Sequence, residues 1–365
     1  MLRLEEIILS MAQGEFWDRS FRNALRESGA CFRDRGFKHI YLVGCGTSCY
    51  AACYGRHLLE KYAGIPCTVM EGNLGARFSW DLVSPQTLFI GVSHTGGSES
   101  VCRTMEEAAK RGAPTAALTG NPDSPLARLC GRPLFFPGGE DDVPTKTRSY
   151  IETAIMLLAA ALCLGDQGGG LKDEFALKIR RAGDAAPELI DQARRLMPPL
   201  AEEWKDAFSL TVVGTGVHLG NAYEGSLKLC EMGWMNSSAF ELENYLHGRF
   251  RGAHAACPYV IFGPSGPGYA KALDFLGIAH KKGVKALFIT DKPSPPVQDL
   301  ACRVITIPGG LDEEILPLVD IIPLYLLGLH LGLAHGYTDP ALRNDGLVAQ
   351  NTRLADLYPR YGPDY

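Results

Sequence analysis

The sequence lacks several features that would place it in a specialised class of protein. It has no Cys-x-x-Cys pair among its eleven cysteines and no basic excess, since 36 Lys and Arg stand against 41 Asp and Glu. It also has no uninterrupted apolar run of about 18 residues, the length that a membrane-spanning helix needs. Scattered cysteines in a chain this long are typical of reduced thiols in a cytoplasm. The acidic balance argues against nucleic acid or an acidic membrane surface as a partner.

The two most apolar stretches are too short or too interrupted to span a bilayer. Ala154–Leu164 is too short, and Leu316–Ala334 carries Asp320, Pro323 and His330. Both are predicted to be buried helices. The N-terminus places Glu5 and Glu6 inside its apolar segment, so it is not predicted to be a signal peptide, and we expect a cytoplasmic protein.

What remains is an ordinary globular composition, with 46% apolar and 21% charged residues over 365 positions. That length accommodates two domains and a sizeable core. Cys45, Cys49 and Cys53 recur every four residues. This spacing is more typical of small residues that let a helix pack closely on a sheet than of metal ligands, so no metal site is predicted.

Four short segments recur in the same order about 170 residues later, which indicates an internal duplication. The pairs are Tyr41–Thr47 with Thr211–Val217, Leu88–Ser93 with Val260–Ser265, Ala116–Thr119 with Leu287–Thr290, and Pro137–Gly139 with Pro308–Gly310.

Short apolar runs alternate with helical patterns in each half, which predicts parallel sheets covered by helices on both faces. In the first half, strands are predicted near 39–44, 66–70, 87–92, 114–119 and 133–136, and helices near 47–62, 98–111 and 149–164. We therefore predict an α/β fold with two tandem three-layer α-β-α domains, each around a mainly parallel five-stranded sheet. The predicted segments are N-terminal helical arms 1–30, domains 31–185 and 186–340, and a C-terminal tail 341–365.

The loop Ser93–Ser98 follows a predicted strand and opens a helix. Its two glycines let the backbone approach a ligand, and its three hydroxyls and the free N–H groups of the helix suit a phosphate. The alternative is that Ser98 merely caps its own helix. The counterpart Gly263–Gly268 has one hydroxyl and two prolines, which cannot donate backbone hydrogen bonds. The sequence therefore predicts one anion site, in the first half.

Gly44–Ser48 is the other strand-to-helix loop of the first half. It resembles half of a dinucleotide-binding fingerprint, but its third glycine is missing, so NAD binding is not predicted. Thr47 and Ser48 can hydrogen-bond a sugar or cap the helix, and the residues alone leave both interpretations open.

Glu224, Lys228 and Glu231 lie four and three residues apart, so a helix presents them on one face. Taken alone, this spacing describes a surface Glu–Lys pair. The helix begins directly after a Gly-x-Gly strand end, however, and His247 follows sixteen residues beyond Glu231. A carboxylate and an imidazole with different pKa values can divide the roles of base and acid in an enolisation.

Together the motifs resemble the sugar isomerase (SIS) family, in the order found in double-SIS enzymes. The pattern is similar to that of the isomerase half of glucosamine-6-phosphate synthases and of the fructosamine-6-phosphate deglycases. The segments that carry the resemblance are Gly44–Ser48, Ser93–Ser98, Thr145–Thr147, Glu224–Glu231 and Leu246–Gly248.

The resemblance implies a phosphate-binding SIS domain at 31–185 and a second SIS domain at 186–340 that supplies the catalytic groups. It implies that Glu231 moves a proton between two sugar carbons, and that His247, often supplied across a dimer interface, acts as the acid. It implies a sugar phosphate substrate, no metal or redox cofactor, and at least a homodimer with a shared active site. The implied phosphate ligands are Ser93, Thr95 and Ser98, and the implied sugar-binding residues are Gly46, Thr47, Ser48, Thr145, Lys228 and Glu224.

Several positions depart from the family pattern. The synthases open their sugar with a lysine in a C-terminal Arg-Asn-Leu-Ala-Lys segment, whereas Arg343–Leu347 contains none, so Schiff-base chemistry is not expected there. The usual His-Gly-Pro has Arg249 in place of proline, with Arg251 close behind. These arginines are candidates for gripping a substrate carboxylate or for a plain surface or interface role. His94 stands where glutamine is common.

The leading hypothesis is a deglycase that cleaves a 6-phospho-ketosamine to a hexose 6-phosphate and an amine. The alternative is an aldose–ketose isomerase or a deaminase of amino-sugar phosphates, which would use the same residues. A non-catalytic sugar-phosphate-binding regulator is the second alternative. Since the sequence begins with its helical arms, neither a glutaminase domain nor a DNA-binding module is expected.

Overall fold

A computed structural model of the chain describes residues 2–32, 36–72, 80–136, 138, 143, 145–165 and 170–337. The described residues form two five-stranded sheets, one in each half. The strands of the first sheet are β1 (His39–Gly44), β2 (Cys67–Glu71), β3 (Thr87–Val92), β4 (Thr115–Thr119) and β5 (Arg132–Phe135). The strands of the second sheet are β6 (Leu210–Gly214), β7 (Ser237–Glu241), β8 (Tyr259–Phe262), β9 (Ala286–Thr290) and β10 (Arg303–Thr306).

The two sheets have the same strand order, β2-β1-β3-β4-β5 in the first and β7-β6-β8-β9-β10 in the second. All neighbouring strands run parallel. Strands β3, β4, β6, β8 and β9 are buried along their whole length, which explains why their sequences are continuous apolar runs. The predicted α/β class with two parallel five-stranded sheets is confirmed. The shared strand order is consistent with an internal duplication, which stays a prediction.

Helices connect and cover the strands. In the first half they are α1 (Arg3–Ser10), α2 (Gly14–Cys31), α3 (Thr47–Leu58), α4 (Glu99–Lys110), α5 (Pro125–Leu129) and α6 (Arg148–Gly165). From there on they are α7 (Gly170–Trp204), α8 (Leu219–Glu231), α9 (Leu242–Leu246), α10 (Tyr269–Lys281), α11 (Pro295–Leu300), α12 (Leu316–Asp320) and α13 (Ile322–Ala334). After Leu58 the chain continues as a wider π-helical turn, Leu59–Ala63, within the helix predicted over 47–62.

The most apolar helices form the centre of the molecule. Two stretches, Arg148–Gly165 and Leu316–Ala334, are long and apolar enough to cross a membrane by length and composition, and 89% of each is buried inside the fold. They pack into one core cluster with the sheets of both halves and with Trp17 and Phe21 of α2. Both stretches are therefore buried helices, as the sequence predicts, and the predicted N-terminal arms contribute side chains to the same core.

The long helix α7 joins the two halves. It runs without interruption through Pro187, Pro198 and Pro199, although an interior proline removes a helix hydrogen bond. Its buried stripe packs into the central core, and this packing outweighs the local preference. The predicted boundary between 185 and 186 lies inside this helix, and the predicted tail 341–365 lies outside the described residues. The stripe comprises Phe175, Ile179, Ala182, Ala186, Leu189, Ala193 and Met197.

Helices α3 and α8 bring the two halves into close contact. A Cβ atom on Gly220 of α8 would lie 2.6 Å from the carbonyl oxygen of Tyr50 in α3, so only glycine permits this approach. The rings of Tyr50 and Tyr223 lie 5.4 Å apart, centroid to centroid, across the same contact. The loop that precedes α3 therefore faces the helix on which the sequence predicts Glu224, Lys228 and Glu231.

Candidate functional site

A buried lysine links the two halves at the centre of the candidate site. Lys228 Nζ lies 2.6 Å from Glu231 Oε2 and 3.3 Å from Glu224 Oε1, and it donates a 3.0 Å hydrogen bond to Thr47 Oγ1. The Lys228 and Glu224 side chains are fully buried, whereas Glu231 is 36% exposed. The three residues thus share one helix face, as predicted, but they form a buried ion cluster rather than a surface pair.

Burial and charge act against each other in this cluster. Burial raises the pKa of Glu224 from 4.5 to about 7, the nearby Lys228 ammonium lowers it, and Glu231 raises it. Burial disfavours the charged form of Lys228, yet the attraction of Glu224 and Glu231 outweighs this cost and raises the lysine pKa. Lys228 is therefore a fixed cation, and it holds the accessible carboxylate of Glu231 in one orientation.

Thr47 reaches this cluster because of the glycine that precedes it. Gly46 adopts φ 52° and ψ −129°, a conformation that suits glycine and is costly for other residues. Helix α3 then starts at Thr47, whose hydroxyl accepts the bond from Lys228 instead of capping the helix. The structure therefore gives Thr47 a bond to the charged cluster, and the half-buried Ser48 lies beside it.

The predicted anion loop Ser93–Ser98 stands at the carboxyl end of β3 and leads into α4. Gly96 has φ 66°, and a Cβ atom there would overlap Ser124 Oγ. Ser98 occupies the N-cap position of α4, yet its side chain accepts no hydrogen bond from the helix backbone. The capping alternative for Ser98 is therefore not what the structure shows, and its hydroxyl is directed elsewhere.

The Ser98 hydroxyl points toward the neighbouring strand-to-helix loop. Ser98 Oγ lies 3.4 Å from Ser100 Oγ and 4.0 Å from Cys45 Sγ, and Cys45 Sγ lies 3.3 Å from Ser100 Oγ. No sequence pattern placed Cys45 and Ser100 at this position. The four-residue spacing predicts helix packing for Cys45, but α3 begins only at Thr47, so Cys45 is exposed in the loop. Its two flanking glycines were the signal that the backbone is not yet helical there.

Within the anion loop, Ser93 and His94 are buried and Thr95 is exposed. The Thr95 hydroxyl accepts a 3.4 Å hydrogen bond from the Gly97 N–H, and the His94 ring stacks on Phe136 at 5.5 Å. Thr145 is buried as well, and in the described part of the chain no hydrogen bond or ion pair joins it to the Lys228 cluster.

The second-half counterpart of the anion loop is chemically different. The Ser265 N–H donates to Asp291 Oδ1 at 2.5 Å, and the Ser265 hydroxyl donates to Asp291 Oδ2. Both donors are thus satisfied by a carboxylate of the protein itself. The restriction of the anion site to the first half stays a prediction.

Among the described residues, no hydrogen bond or ion pair joins His247 to Glu231. His247 follows the short helix α9, its side chain is 75% exposed, and its Nε2 lies 3.2 Å from Glu243 Oε1. Arg249 and Arg251 are exposed in the next turn, and the Arg249 guanidinium lies over the Phe240 ring at 4.5 Å. These three predicted residues form a separate exposed group, here called the His247 turn, and their functional roles stay predictions.

The described residues contain no group of three or more His, Cys, Asp or Glu side chains placed to hold a metal ion. All eleven cysteines carry free thiols. The candidate site thus presents carboxylates, an ammonium, hydroxyls and the exposed thiol of Cys45.

The chain is similar to known proteins in sequence and in fold. Residues 35–162 match the SIS domain family model. A glutamine–fructose-6-phosphate aminotransferase (isomerizing) of Thermus thermophilus is 26% identical over 313 residues, which are 85% of this chain and 52% of that relative. The counterpart from Gloeobacter violaceus is 25% identical and is matched over 51% of its length. The chain thus spans about half the length of the curated relatives it matches.

Solved structures show the same fold along nearly the whole chain. The C-terminal domain of glucosamine-fructose-6-phosphate aminotransferase from Francisella tularensis superposes with a TM-score of 0.82 at 20% identity, covering 92% of this chain and 96% of that one. Tagatose-6-phosphate ketose/aldose isomerase from Escherichia coli gives 0.77 at 18% identity, covering 93% and 94%. The match over residues 35–162, the relatives and this shared fold all show that the chain is similar to SIS domain proteins.

Proposed function

We propose that the protein is an enzyme that acts on a sugar phosphate, with the phosphate in the Ser93–Ser98 loop and the sugar carbons beside Glu231. The observation that carries the proposal is the Lys228 ammonium, which joins Glu231 to Thr47 across the two halves. It couples the half with the anion loop to an accessible carboxylate. The names of the relatives, which contain fructose 6-phosphate and tagatose 6-phosphate, support the same class of substrate.

The proposed reaction is hydrolysis of a 6-phospho-ketosamine, a sugar phosphate with an amine on C1. Glu231 removes a proton from C1, the electron pair forms a C1–C2 double bond, and the C2 carbonyl oxygen takes a proton from the acid. The protonated Glu231 then delivers a proton to C2, which leaves an imine at C1. Water adds to this carbon and the amine departs, so one water is consumed and no electrons are lost.

The sequence supports this reaction over transfer through a covalent lysine. The segment Arg343–Leu347 matches the position of the lysine in the synthases and contains none. Lys228 is an unsuitable substitute, because its raised pKa and its two carboxylate partners keep it protonated, and only a neutral amine attacks a carbonyl. Hydrolysis by proton transfer at Glu231 needs no such nucleophile.

We further propose that a second copy of the chain supplies the acid. His247 is 75% exposed and bonds only to Glu243 of its own helix among the described contacts, so a partner subunit can place it against Glu231 of its neighbour. The arginines of the same turn would then arrive with it. A guanidinium binds a carboxylate through two parallel hydrogen bonds, and Arg249 and Arg251 suit a ketosamine that carries an amino acid. We also propose that the protein is cytoplasmic and that it binds neither nucleic acid nor a membrane.

The experiment is a coupled assay for glucose 6-phosphate release from a panel of 6-phospho-ketosamines made from different amino acids. Fructose 6-phosphate and glucosamine 6-phosphate run in parallel. Release from a ketosamine with one equivalent of free amine supports the deglycase. Turnover of the simple sugar phosphates alone replaces it with an isomerase or a deaminase. Tight binding of sugar phosphates with no turnover of any compound contradicts catalysis and favours a regulatory binder.

A further inference from the structure

A cavity of about 240 Å³ lies where the end of α3 meets the short segment that leads into α8. The reaction proposed above does not use it. Its volume is well beyond that of one water, whose share of the liquid is about 30 Å³, so it can hold a small organic molecule. The lining residues are His57, Leu58, Lys61, Val217, Glu313 and Glu314.

This cavity is the counterpart of the candidate site and is called the counterpart cavity below. The first pair of repeated segments in the sequence is related by a shift of 170 positions. The same shift relates three lining residues to three residues of the candidate site. The pairs are Val217 with Thr47, Leu58 with Lys228, and Lys61 with Glu231. Each place is thus built from the segment that opens one of the two helices and from the end of the other.

The chemistry of the two places differs. Glu231, the accessible carboxylate of the candidate site, has as its counterpart Lys61, whose side chain is 58% exposed. The buried Lys228 has as its counterpart Leu58, so the buried ion cluster is not repeated. The second-half loop Gly263–Gly268, which corresponds to the anion loop, has both donors of its serine occupied. The counterpart cavity therefore suits a ligand of a different class from a sugar phosphate.

Two accessible groups of opposite charge line the counterpart cavity without pairing with each other. Lys61 Nζ lies 3.4 Å from Glu314 Oε1. That carboxylate also accepts a hydrogen bond from the Tyr62 hydroxyl and lies 3.5 Å from Lys178, so it is shared among three partners. Glu313 is exposed, and among the described residues it makes no hydrogen bond or ion pair. A ligand that carries both charges can bridge the Lys61 ammonium and the Glu313 carboxylate.

The other walls of the cavity add no charge near neutral pH. Burial, and to a lesser extent the neighbouring Arg56, lowers the pKa of His57 below its usual 6.5, so this imidazole is mostly neutral at pH 7.5. Val217 is half-buried and gives the cavity an accessible apolar wall. A free α-amino acid matches these features, because it carries an ammonium and a carboxylate on one carbon together with a side chain.

We propose that the counterpart cavity binds a free α-amino acid with a small apolar side chain. Its carboxylate pairs with Lys61, its ammonium pairs with Glu313, and its side chain packs on Val217. The site uses no residue of the anion loop or of the Lys228 cluster, so it does not depend on the reaction proposed above. A ligand there contacts the end of α3 and the segment that opens α8, the two helices that carry Thr47 and Lys228.

The test is a titration of the complete 365-residue chain with L-valine, followed by saturation-transfer difference NMR on the valine methyl signals. L-valinamide, which lacks the carboxylate, and N-acetyl-L-valine, which lacks the ammonium, are titrated in parallel. The wild type is expected to give saturable transfer to L-valine and to bind each derivative about fivefold more weakly, the upper range for loss of one half-exposed ion pair. No saturable transfer, or a derivative that binds as tightly as L-valine, overturns the proposal.

Two variants that each remove one charge locate the site. Lys61→Met and Glu313→Gln change exposed side chains, and each is expected to raise the Kd for L-valine about fivefold. Lys110→Met is the matched control for the first, because Lys110 is 62% exposed and also pairs with a carboxylate, at 3.1 Å. Glu188→Gln, an exposed carboxylate on α7, is the control for the second. Both controls are expected to keep the wild-type Kd.

The variants also test which charge pairs with which group of the ligand. In Lys61→Met, L-valine and L-valinamide should bind equally, and in Glu313→Gln, L-valine and N-acetyl-L-valine should bind equally. A Kd for L-valine that neither variant changes would place the amino acid elsewhere and overturn the proposal, and so would ligand differences that persist in both variants. If Lys61→Met fails to fold by circular dichroism, Glu313→Gln decides the case. Loss of turnover in the ketosamine assay would leave L-valine binding untouched, so the two proposals fail independently.

Discussion

Replacing Lys228 with methionine tests whether the buried cation holds the candidate site together. The substitution keeps most of the side-chain volume and removes the ammonium that bonds to Glu231, Glu224 and Thr47. The expected loss has two parts. One part is the loss of hydrogen bonds to Glu231 and Thr47, about 1–2 kcal/mol in the free energy of unfolding. The other part depends on the protonation of Glu224 and therefore on pH.

The pH-dependent part follows from the raised pKa of Glu224. Burial raises this pKa from 4.5 to about 7 in the folded wild type, so the folded protein binds more protons than the unfolded chain between these values. The contribution of Glu224 to stability is thus complete below about pH 4.5 and is lost as the pH rises through about 7. Without Lys228 the pKa rises further, and Glu224 stays protonated at pH 8.

The difference in the free energy of unfolding between the wild type and Lys228→Met is therefore smaller at pH 6 than at pH 8. At pH 8, about one pH unit above the Glu224 pKa of about 7, ionisation of Glu224 beside Lys228 stabilises the folded wild type by about 1.4 kcal/mol. Lys228→Met lacks this stabilisation. The total loss at pH 8 is about 3 kcal/mol, the lower end of the cost of breaking a buried ion pair.

The assay is urea unfolding of both proteins at pH 6 and pH 8, followed by circular dichroism. Lys110→Met is the matched control, because Lys110 pairs with Glu106 at the same four-residue spacing but on the surface. It should lose at most about 0.5 kcal/mol, equally at both pH values. A loss for Lys228→Met that is the same at both pH values, or no larger than the control, would refute this reasoning.

Three further predictions concern the anion loop, the contact between the halves and the proposed shared site. Ser98→Ala should weaken binding of a sugar phosphate about tenfold by calorimetry, whereas Ser265→Ala in the second-half loop should not; equal effects would contradict an anion site confined to the first half. Gly220→Ala should destabilise the protein by about 1–3 kcal/mol in urea, because the added methyl meets the backbone of α3; an unchanged midpoint would disprove that contact. Mixing the separately inactive variants Glu231→Gln and His247→Ala after brief unfolding should restore about a quarter of wild-type turnover, since half of randomly mixed dimers then hold one intact site; no recovery would exclude a partner-supplied His247.

Local sequence patterns predicted much of the fold because parallel strands are short apolar runs bounded by glycine and polar residues. The predicted strand at 39–44 coincides with β1, and that at 87–92 coincides with β3. The helix predicted over 98–111 is observed as Glu99–Lys110. These elements depend on residues close to one another in the chain, and no long-range contact overrides their preferences.

Contacts between distant residues could not be predicted in this way. Thr47 and Lys228 are 181 positions apart, and His218 and Asp320 are 102 apart, so no spacing rule connects either pair. Helix periodicity placed Glu224, Lys228 and Glu231 on one face, but it did not show that this face is buried against the other half. Burial is what turns an ordinary surface pair into a cluster with a raised Glu224 pKa.

The most direct test of the central claim is the rate at which Glu231→Gln releases hexose 6-phosphate from the best ketosamine in the panel. Glu107→Gln is the matched control, because Glu107 is 37% exposed and pairs with Arg111 on its own helix, much as Glu231 is 36% exposed and pairs with Lys228. Glu231→Gln is expected to lose turnover while it still binds the sugar phosphate, and Glu107→Gln is expected to behave as wild type. Turnover that persists in Glu231→Gln would contradict the proposed proton transfer and remove this carboxylate from the mechanism.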